Sequence, residues 1–81
     1  MTLTVKYYAI LKETTGLSTE VLEAPEGCTG ADLLELVRER HPNCAELMAS
    51  VRIANAESYI SNETVLESDS TLLLIPPVSG G

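Results

Sequence analysis

Hydrophobic and polar residues alternate at the start of the chain. Leu3, Val5 and Tyr7 occupy every second position, and the residues between them are polar. This period of two, in a segment with β-branched and aromatic residues, predicts a strand with one buried face. A second strand is predicted at about 19–24, and the turn-forming residues 25–27 end it.

The helical pattern is clearest after Thr29. The Thr29 side chain can accept a hydrogen bond from the Asp32 backbone while the Asp32 side chain reaches back, as in a capping box. Apolar residues then recur at helical spacing, and two arginines fall in the last turn, where cations suit the negative end of the helix dipole. Pro42 ends the predicted helix because its ring disfavours helical geometry at the preceding residue. The apolar positions are Leu33, Leu34, Leu36 and Val37.

The last predicted strand differs from the others. Residues 71–75 are nearly all apolar, so this strand is expected in the middle of a sheet, or with one face reserved for a partner. Pro76 and Pro77 follow it and lack backbone donors, so they end strand pairing and favour an extended path. Shorter helical turns are predicted at 9–15 and 45–49, a strand at 51–55, and weaker strand signals at 59–60 and 65–66.

Together these elements predict an α+β fold. Their order leads us to expect one main helix lying across one face of a mixed sheet of about five strands. We expect a single domain over residues 1–75 and an extended, flexible tail over residues 76–81. At roughly 3.3 Å per residue, that tail spans up to about 20 Å.

Composition limits the possible functions. The 81 residues carry a formal net charge of −7, which argues against binding to nucleic acid or anionic membranes. The charge is explained equally well by simple solubility and by steering toward a basic partner. No secretory signal is recognisable, and the longest apolar run, 72–78, is too short to span a bilayer. Cys28 and Cys44 lack metal-binding or redox spacing, so reduced thiols and a cytoplasmic location are expected.

Candidate catalytic residues within the domain are few. His41 is the only histidine and has no neighbouring ligand, so we expect a surface position at the helix end rather than a metal site. Cys28 precedes the helix, where a thiol pKa can fall, but without a base it is expected to be a loop or core thiol. The acids show no paired spacing and are expected to be solvated. Ser70 lies in a segment resembling the acyl carrier motif, but those carriers are all-helical and Ser70 leads into a strand.

The chain ends in Ser79-Gly80-Gly81. Glycine has no Cβ, so a diglycine arm can thread a channel too narrow for other residues. Its main-chain carboxylate is a poor electrophile and needs a leaving group such as AMP before it can transfer an acyl group. We therefore expect an ATP-dependent enzyme to activate Gly81, giving a thioester, an amide or a thiocarboxylate.

Over nearly its whole length the chain resembles the small, sulfur-carrying subunit of molybdopterin synthase, the MoaD family. The end of the chain carries the most specific similarity. The resemblance implies a ubiquitin-like β-grasp fold, which agrees with the element order above. The similar segments are Val5-Lys6-Tyr7-Tyr8-Ala9, Leu11-Lys12-Glu13 with Gly16, Thr29 with Asp32-Leu33-Leu34, Ala54-Asn55, and Leu74-Ile75-Pro76-Pro77-Val78-Ser79-Gly80-Gly81.

The resemblance also implies a mechanism. An activating enzyme resembling ubiquitin E1 would adenylate Gly81 with ATP, and a sulfur donor would convert the adenylate to a thiocarboxylate. The tail would enter the large synthase subunit and deliver sulfur to cyclic pyranopterin monophosphate, building the dithiolene of the molybdenum cofactor. The chain itself would bind no cofactor and no metal. The residues implied in threading and docking are Gly80, Ser79, Val78, Pro77, Pro76 and Ile75.

Three positions depart from the family, and two other functions stay open. Residues 67–69 lack a turn glycine, Ala56 stands where a hairpin glycine is frequent, and Ile75 replaces a residue that is often aromatic. One alternative is a ubiquitin-like protein modifier or interaction module, although Ser79 is small where a modifier is expected to carry a basic or bulky residue. The other is a thiamine-type sulfur carrier, which uses the same chemistry.

Overall fold

The structure is a computed structural model, and it describes residues 1–77 of the 81. The predicted helices and strands are confirmed, with boundaries that shift by one or two residues. At residues 65–66 the weak strand signal corresponds to a single bridge between Val65 and Thr29. The elements are β1 (Thr2–Tyr7), α1 (Ile10–Thr15), β2 (Thr19–Glu23), α2 (Gly30–Arg40), a 3-10 helix (Pro42–Cys44), α3 (Ala45–Met48), β3 (Arg52–Ala54), β4 (Tyr59–Ile60) and β5 (Thr71–Ile75).

β5 lies at the centre of a five-stranded sheet. The strand order is β2-β1-β5-β3-β4, with β5 parallel to β1 and antiparallel to β3. Because β5 has a neighbour on each side, its apolar run occupies the central position that the sequence predicted. The mixed sheet with α2 packed against one face confirms the expected β-grasp architecture.

The helix α2 begins and ends at the predicted signals. The Thr29 hydroxyl accepts a hydrogen bond from the Asp32 amide at 3.2 Å, and the Asp32 carboxylate accepts one from the Thr29 amide at 3.1 Å. Gly30 opens the helix where a Cβ would lie 3.0 Å from the Asn62 Cα, so this helix end approaches the loop before β5 closely. Neither α2 nor any other helix within residues 1–77 is long and apolar enough to cross a membrane.

Alternation along the strands gives the sheet two different faces. The covered face packs against α2 and forms the core, in which Leu3, Val5 and Leu74 are fully buried. The open face carries the residues of opposite parity, and α2 does not cover it. Its residues towards the carboxyl end of β5 are Lys6, Leu73, Ile75, Arg52, Ala54 and Tyr59.

Two turns form without the glycines that are frequent in the MoaD family. Asp69 has φ 65°, in the left-handed region that aspartate tolerates better than most residues. Its amide donates to the Thr2 carbonyl at 2.7 Å. In the hairpin after β3, the Asn55 side chain accepts hydrogen bonds from the amides of Glu57 and Ser58 at 2.8 and 2.9 Å. At both positions the turn is therefore retained, although a different residue and different hydrogen bonds form it.

Candidate functional site

The carboxyl end of β5 lies beside the end of β1 because the two strands run parallel. Ile75 therefore lies near Tyr8, where the chain leaves β1 for α1. Ile75 is half-buried, Pro76 is buried and Pro77 is exposed. The other predicted site residues lie outside the described residues; they are Val78, Ser79, Gly80 and Gly81.

An open groove of about 750 Å³ occupies this end of the molecule. It brings Ile75, Pro76 and Pro77 together with residues of α1 and α3. Tyr8 and Ile10 are 43% and 44% exposed, so two large apolar side chains face solvent beside the end of β5. Contiguous apolar exposure of this kind is typical of a protein contact surface. The groove is lined by Tyr8, Ala9, Ile10, Glu13, Leu47, Ile75, Pro76 and Pro77.

Ala9 lines this groove in an unusual backbone conformation. Its φ is 51° and its ψ is −128°, a region that favours glycine because a Cβ crowds the neighbouring peptide groups. The strained residue lies between exposed Tyr8 and exposed Ile10. Holding a residue in such a region costs about 1–3 kcal/mol of folding free energy, and residues of this kind cluster at functional sites. The strain supports a role for the groove in binding.

Sequence reasoning missed Tyr8, Ile10 and Leu47 as site residues. A signal for Tyr8 was present, because Tyr7 completes the buried alternation of β1 and the next side chain must then leave the core. Ile10 could have been inferred from its position beside Leu11, the buried residue of the short helix α1. Leu47 joins the groove only through the packing of α3, and the local sequence contains no sign of that.

A polar cluster centred on Glu20 joins β2 to the end of α2. The Glu20 carboxylate accepts hydrogen bonds from the Tyr7 hydroxyl at 2.6 Å and from Arg40 Nε at 2.7 Å. His41 Nε2 lies 2.8 Å from the same carboxylate. The side chains of Glu20 and His41 are 10% and 15% exposed. The expectations of a solvated acid and a surface histidine are therefore wrong at these two positions.

The electrostatics of this cluster favour a structural role. Burial alone would raise the pKa of Glu20, but hydrogen bonds with Tyr7, His41 and Arg40 hold that pKa below its ordinary value. Burial and the hydrogen bond to Glu20 raise the pKa of the Tyr7 hydroxyl. Glu20 thus stays ionised and Tyr7 stays protonated at neutral pH. Both carboxylate oxygens are already engaged, so the cluster fixes the end of α2 against the sheet.

The two cysteines are not arranged as nucleophiles. Cys28 and Cys44 are free and buried. Burial raises the pKa of both thiols, and the charge of Asp32 raises that of Cys28 further. The expectation of a loop or core thiol at Cys28 is confirmed. Within residues 1–77 no three acidic, histidine or cysteine side chains group in a way that could hold a metal ion.

Ser70 belongs to the turn that leads into β5. Its hydroxyl donates to the Glu67 carbonyl at 2.6 Å, and the fold around it is built on a five-stranded sheet. Acyl carriers are all-helical and carry their serine at the start of a helix. The structure therefore agrees with the rejection of that class.

Comparison of the sequence with known proteins gives one family and a consistent set of relatives. Residues 5–81 match the ThiS family. The human molybdopterin synthase sulfur carrier subunit is 29% identical over 80 residues, covering 95% of this chain and 91% of that protein. The Arabidopsis thaliana protein of the same name is 30% identical over 77 residues, covering 95% of this chain and 80% of its own length.

Solved structures agree on the fold. A Pyrococcus furiosus protein described as molybdopterin converting factor subunit 1 superimposes with a TM-score of 0.85 at 30% identity, covering 96% of this chain and 99% of that one. Small archaeal modifier protein 1 of Haloferax volcanii has a TM-score of 0.82 at 18% identity, covering 95% and 98%. A Helicobacter pylori complex of subunits 1 and 2 of molybdopterin-converting factor contains a chain with a TM-score of 0.69 at 22% identity, covering all of both chains.

The breadth of these matches decides the classification. The family match reaches from β1 to the last residue. The sequence relatives cover nearly the same span, and the Pyrococcus furiosus structure shares the ubiquitin-like β-grasp fold over 96% of this chain. The resemblance to the small subunits of molybdopterin synthase is thereby confirmed. The chain belongs to the ThiS family.

Proposed function

We propose that this chain is the sulfur carrier subunit of a molybdopterin synthase. The observation that carries the proposal is the similarity, over nearly the whole chain, to sulfur carrier subunits of that enzyme from human and Arabidopsis thaliana. The apolar groove beside Ile75, Pro76 and Pro77 supports it, because a carrier needs a contact surface at the base of its reactive arm. Residues 1–75 form the carrier domain, and residues 76–81 form the arm.

The reacting group is the carboxylate of Gly81. In an E1-like enzyme a carboxylate oxygen attacks the α-phosphorus of ATP, a C–O–P linkage forms and pyrophosphate leaves. Sulfide-level sulfur from a donor then attacks the carbonyl carbon, the bond to AMP breaks and a thiocarboxylate remains. ATP is bound by the activating enzyme, and this chain binds no cofactor of its own. Gly80 and Ser79 keep the arm narrow because they add little or no side-chain bulk.

The acceptor is cyclic pyranopterin monophosphate held by the large synthase subunit. The arm enters that subunit, and the thiocarboxylate sulfur forms a bond to the acceptor. Water then breaks the bond between the sulfur and the Gly81 carbonyl carbon, so the sulfur stays in the dithiolene of molybdopterin and the Gly81 carboxylate is restored. Val78, Pro77, Pro76 and Ile75 dock the base of the arm. The reaction takes place in the cytoplasm, with neither nucleic acid nor membrane as a partner.

Intact mass spectrometry tests the first half of this proposal. The full chain is incubated with an E1-like activating enzyme, ATP and sulfide. We expect a mass increase equal to the exchange of one oxygen for sulfur, which is absent without ATP and absent when Gly81 is deleted. Conjugation to lysine side chains in place of this exchange would support a protein modifier and contradict the proposal.

A reconstituted synthase tests the second half. The thiocarboxylated chain, the large subunit and cyclic pyranopterin monophosphate should together give molybdopterin. The Gly81→Ala variant should keep its fold, measured by thermal melting, and should give no product. Unfolding of this variant would indicate a structural role for the tail. If the thiocarboxylated wild-type chain transferred its sulfur to a thiazole precursor instead, the chain would be a thiamine-type carrier.

A further inference from the structure

Three cationic side chains of this acidic chain have no carboxylate partner in the described structure. Within residues 1–77 no ion pair within 4.0 Å joins Lys6, Lys12 or Arg52 to an acid, although the chain contains twelve acidic residues. The two remaining lysine or arginine side chains, Arg38 and Arg40, lie on α2, and each contacts a glutamate. The cations therefore divide by position into a paired set on the helix and an unpaired set elsewhere.

Two of the unpaired cations lie on the strands on either side of β5, and the third lies near one of them. Lys6 on β1 is the register partner of Leu73, and Arg52 on β3 is the register partner of Ile75. The two cations thus flank the last strand on the open face. Lys12 on α1 lines the same depression as Lys6. We call the surface formed by Lys6, Lys12, Arg52, Leu73, Ile75 and Tyr59 the tail-base patch.

The tail-base patch combines positive charge with exposed apolar surface. Leu73 and Ile75 are half-buried, and Tyr59 is 55% exposed. The Arg52 guanidinium lies 4.0 Å from the centroid of the Tyr59 ring, so its position on the patch is held by a cation–π contact.

The open face near the carboxyl end of β5 is poor in acidic residues. Within residues 1–77, the strand positions of the open face near the carboxyl end of β5 carry no carboxylate. In the same part of the chain, the one acidic strand residue on that face is Glu23, which pairs with Thr2 at the opposite end of β1. Glu13, on α1, lines the neighbouring groove. A chain of net charge −7 therefore carries positive side chains on the open face beside β5.

We infer that the tail-base patch docks onto an apolar surface of the large synthase subunit that is bordered by carboxylates. This inference rests on the proposed function and adds the chemistry of the partner surface. The carboxylates would pair with Lys6, Lys12 and Arg52 while the apolar centre covers Leu73 and Ile75. Complementary charges of this kind steer association and fix the docking orientation, so they align the domain while the arm enters its channel.

The geometry favours a protein surface over a small anion. Lys6 and Arg52 lie on strands that are separated by β5 and face β5 residues two positions apart, so their backbones are at least about 10 Å apart. The Arg52 side chain lies over Tyr59, on the strand farthest from Lys6. Groups so far apart do not converge on one phosphate or carboxylate, whereas an interface of ordinary size spans several strands.

Binding measurements between the full chain and the large subunit test this inference. Affinity is measured by calorimetry at several NaCl concentrations for the wild type, Lys6→Gln, Lys12→Gln, Arg52→Gln and the triple variant. We expect each single change to weaken binding about two- to fivefold, as for exposed ion pairs. The triple variant should bind at least about tenfold more weakly and should lose most of the salt dependence of the wild type.

Arg38→Gln is the matched control because it removes the same charge from the opposite side of the molecule. It should bind like the wild type, and Arg52→Lys should retain most of the affinity. Equal weakening by Arg38→Gln and the patch variants would overturn the inference, as would unchanged affinity of the triple variant. Thermal melting of each variant confirms that the fold is kept. If the wild type gains sulfur and binds the large subunit but the patch variants do so equally well, the inference fails while the proposed function stands.

Discussion

The covered face and the open face of the sheet are built from the same strands, but they differ in burial and in charge pairing. On the covered face nearly all apolar side chains are buried, and the partly buried acid Glu20 is paired with three donors. On the open face Leu73 and Ile75 stay half-exposed, and Lys6 and Arg52 have no acidic partner within residues 1–77.

This difference separates stability from recognition. Burying apolar surface and satisfying polar groups stabilise a fold, and the covered face does both. Exposed apolar surface and unpaired charge add little to the stability of an isolated domain, but they are available to a partner. β5 belongs to both faces, so one strand supports the core and carries the base of the tail.

Truncation of two neighbouring leucines of β5 should give the largest contrast between the faces. Leu74 is fully buried, so Leu74→Ala should lower the free energy of unfolding by about 2–5 kcal/mol through lost burial and a residual cavity. Leu73→Ala, on the open face, should cost roughly 1 kcal/mol or less. Urea denaturation at neutral pH measures both values. Similar losses at the two positions would mean that the faces are not energetically distinct.

The Glu20 cluster should give the next largest effect, and one that depends on pH. Glu20→Gln removes the negative charge that accepts hydrogen bonds from three donors. It should lower the free energy of unfolding by about 1–3 kcal/mol at pH 7. The pKa of Glu20 is lowered in the folded state, so its stabilisation is present above the ordinary glutamate pKa and is lost as pH falls through the lowered value. The difference between wild type and variant should therefore shrink as the pH falls below the ordinary glutamate pKa of 4.5.

Glu39→Gln provides the control for this experiment. Glu39 lies exposed on α2, and the substitution changes the net charge by the same amount. It should alter stability by no more than about 0.5 kcal/mol across the pH range. If denaturation curves show the same pH response for the Glu20 and Glu39 variants, the cluster does not stabilise the end of α2.

The sequence predicted most of the fold because its signals are local. The alternation of Leu3, Val5 and Tyr7, the capping box at Thr29 and the apolar run of β5 each determine an element within a few residues. These signals are strong because a strand or a helix needs a defined spacing of apolar positions.

The features that the sequence analysis missed depend on residues distant in the chain. Glu20 meets Arg40 across 20 positions, and no periodicity in either segment announces that contact. The unpaired state of Lys6 and Arg52 became visible only when the strand register placed them on either side of β5. The alternation along β1 did predict one part of this, because Lys6 follows the inward-facing Val5 and its side chain must therefore point away from the core.

Backbone strain on the groove side of the molecule should give the smallest effect, and one of opposite sign. Ala9 has φ 51°, which glycine adopts without steric cost, so Ala9→Gly should relieve about 1–3 kcal/mol of strain. The added freedom of glycine in the unfolded chain offsets about 0.5–1 kcal/mol of this gain, leaving a net stabilisation of about 1 kcal/mol. Ala31→Gly removes the same methyl group from α2 and should instead destabilise by about 0.5–1 kcal/mol. Denaturation of both variants in parallel checks the signs, and a loss of stability in Ala9→Gly would show that Ala9 is not strained.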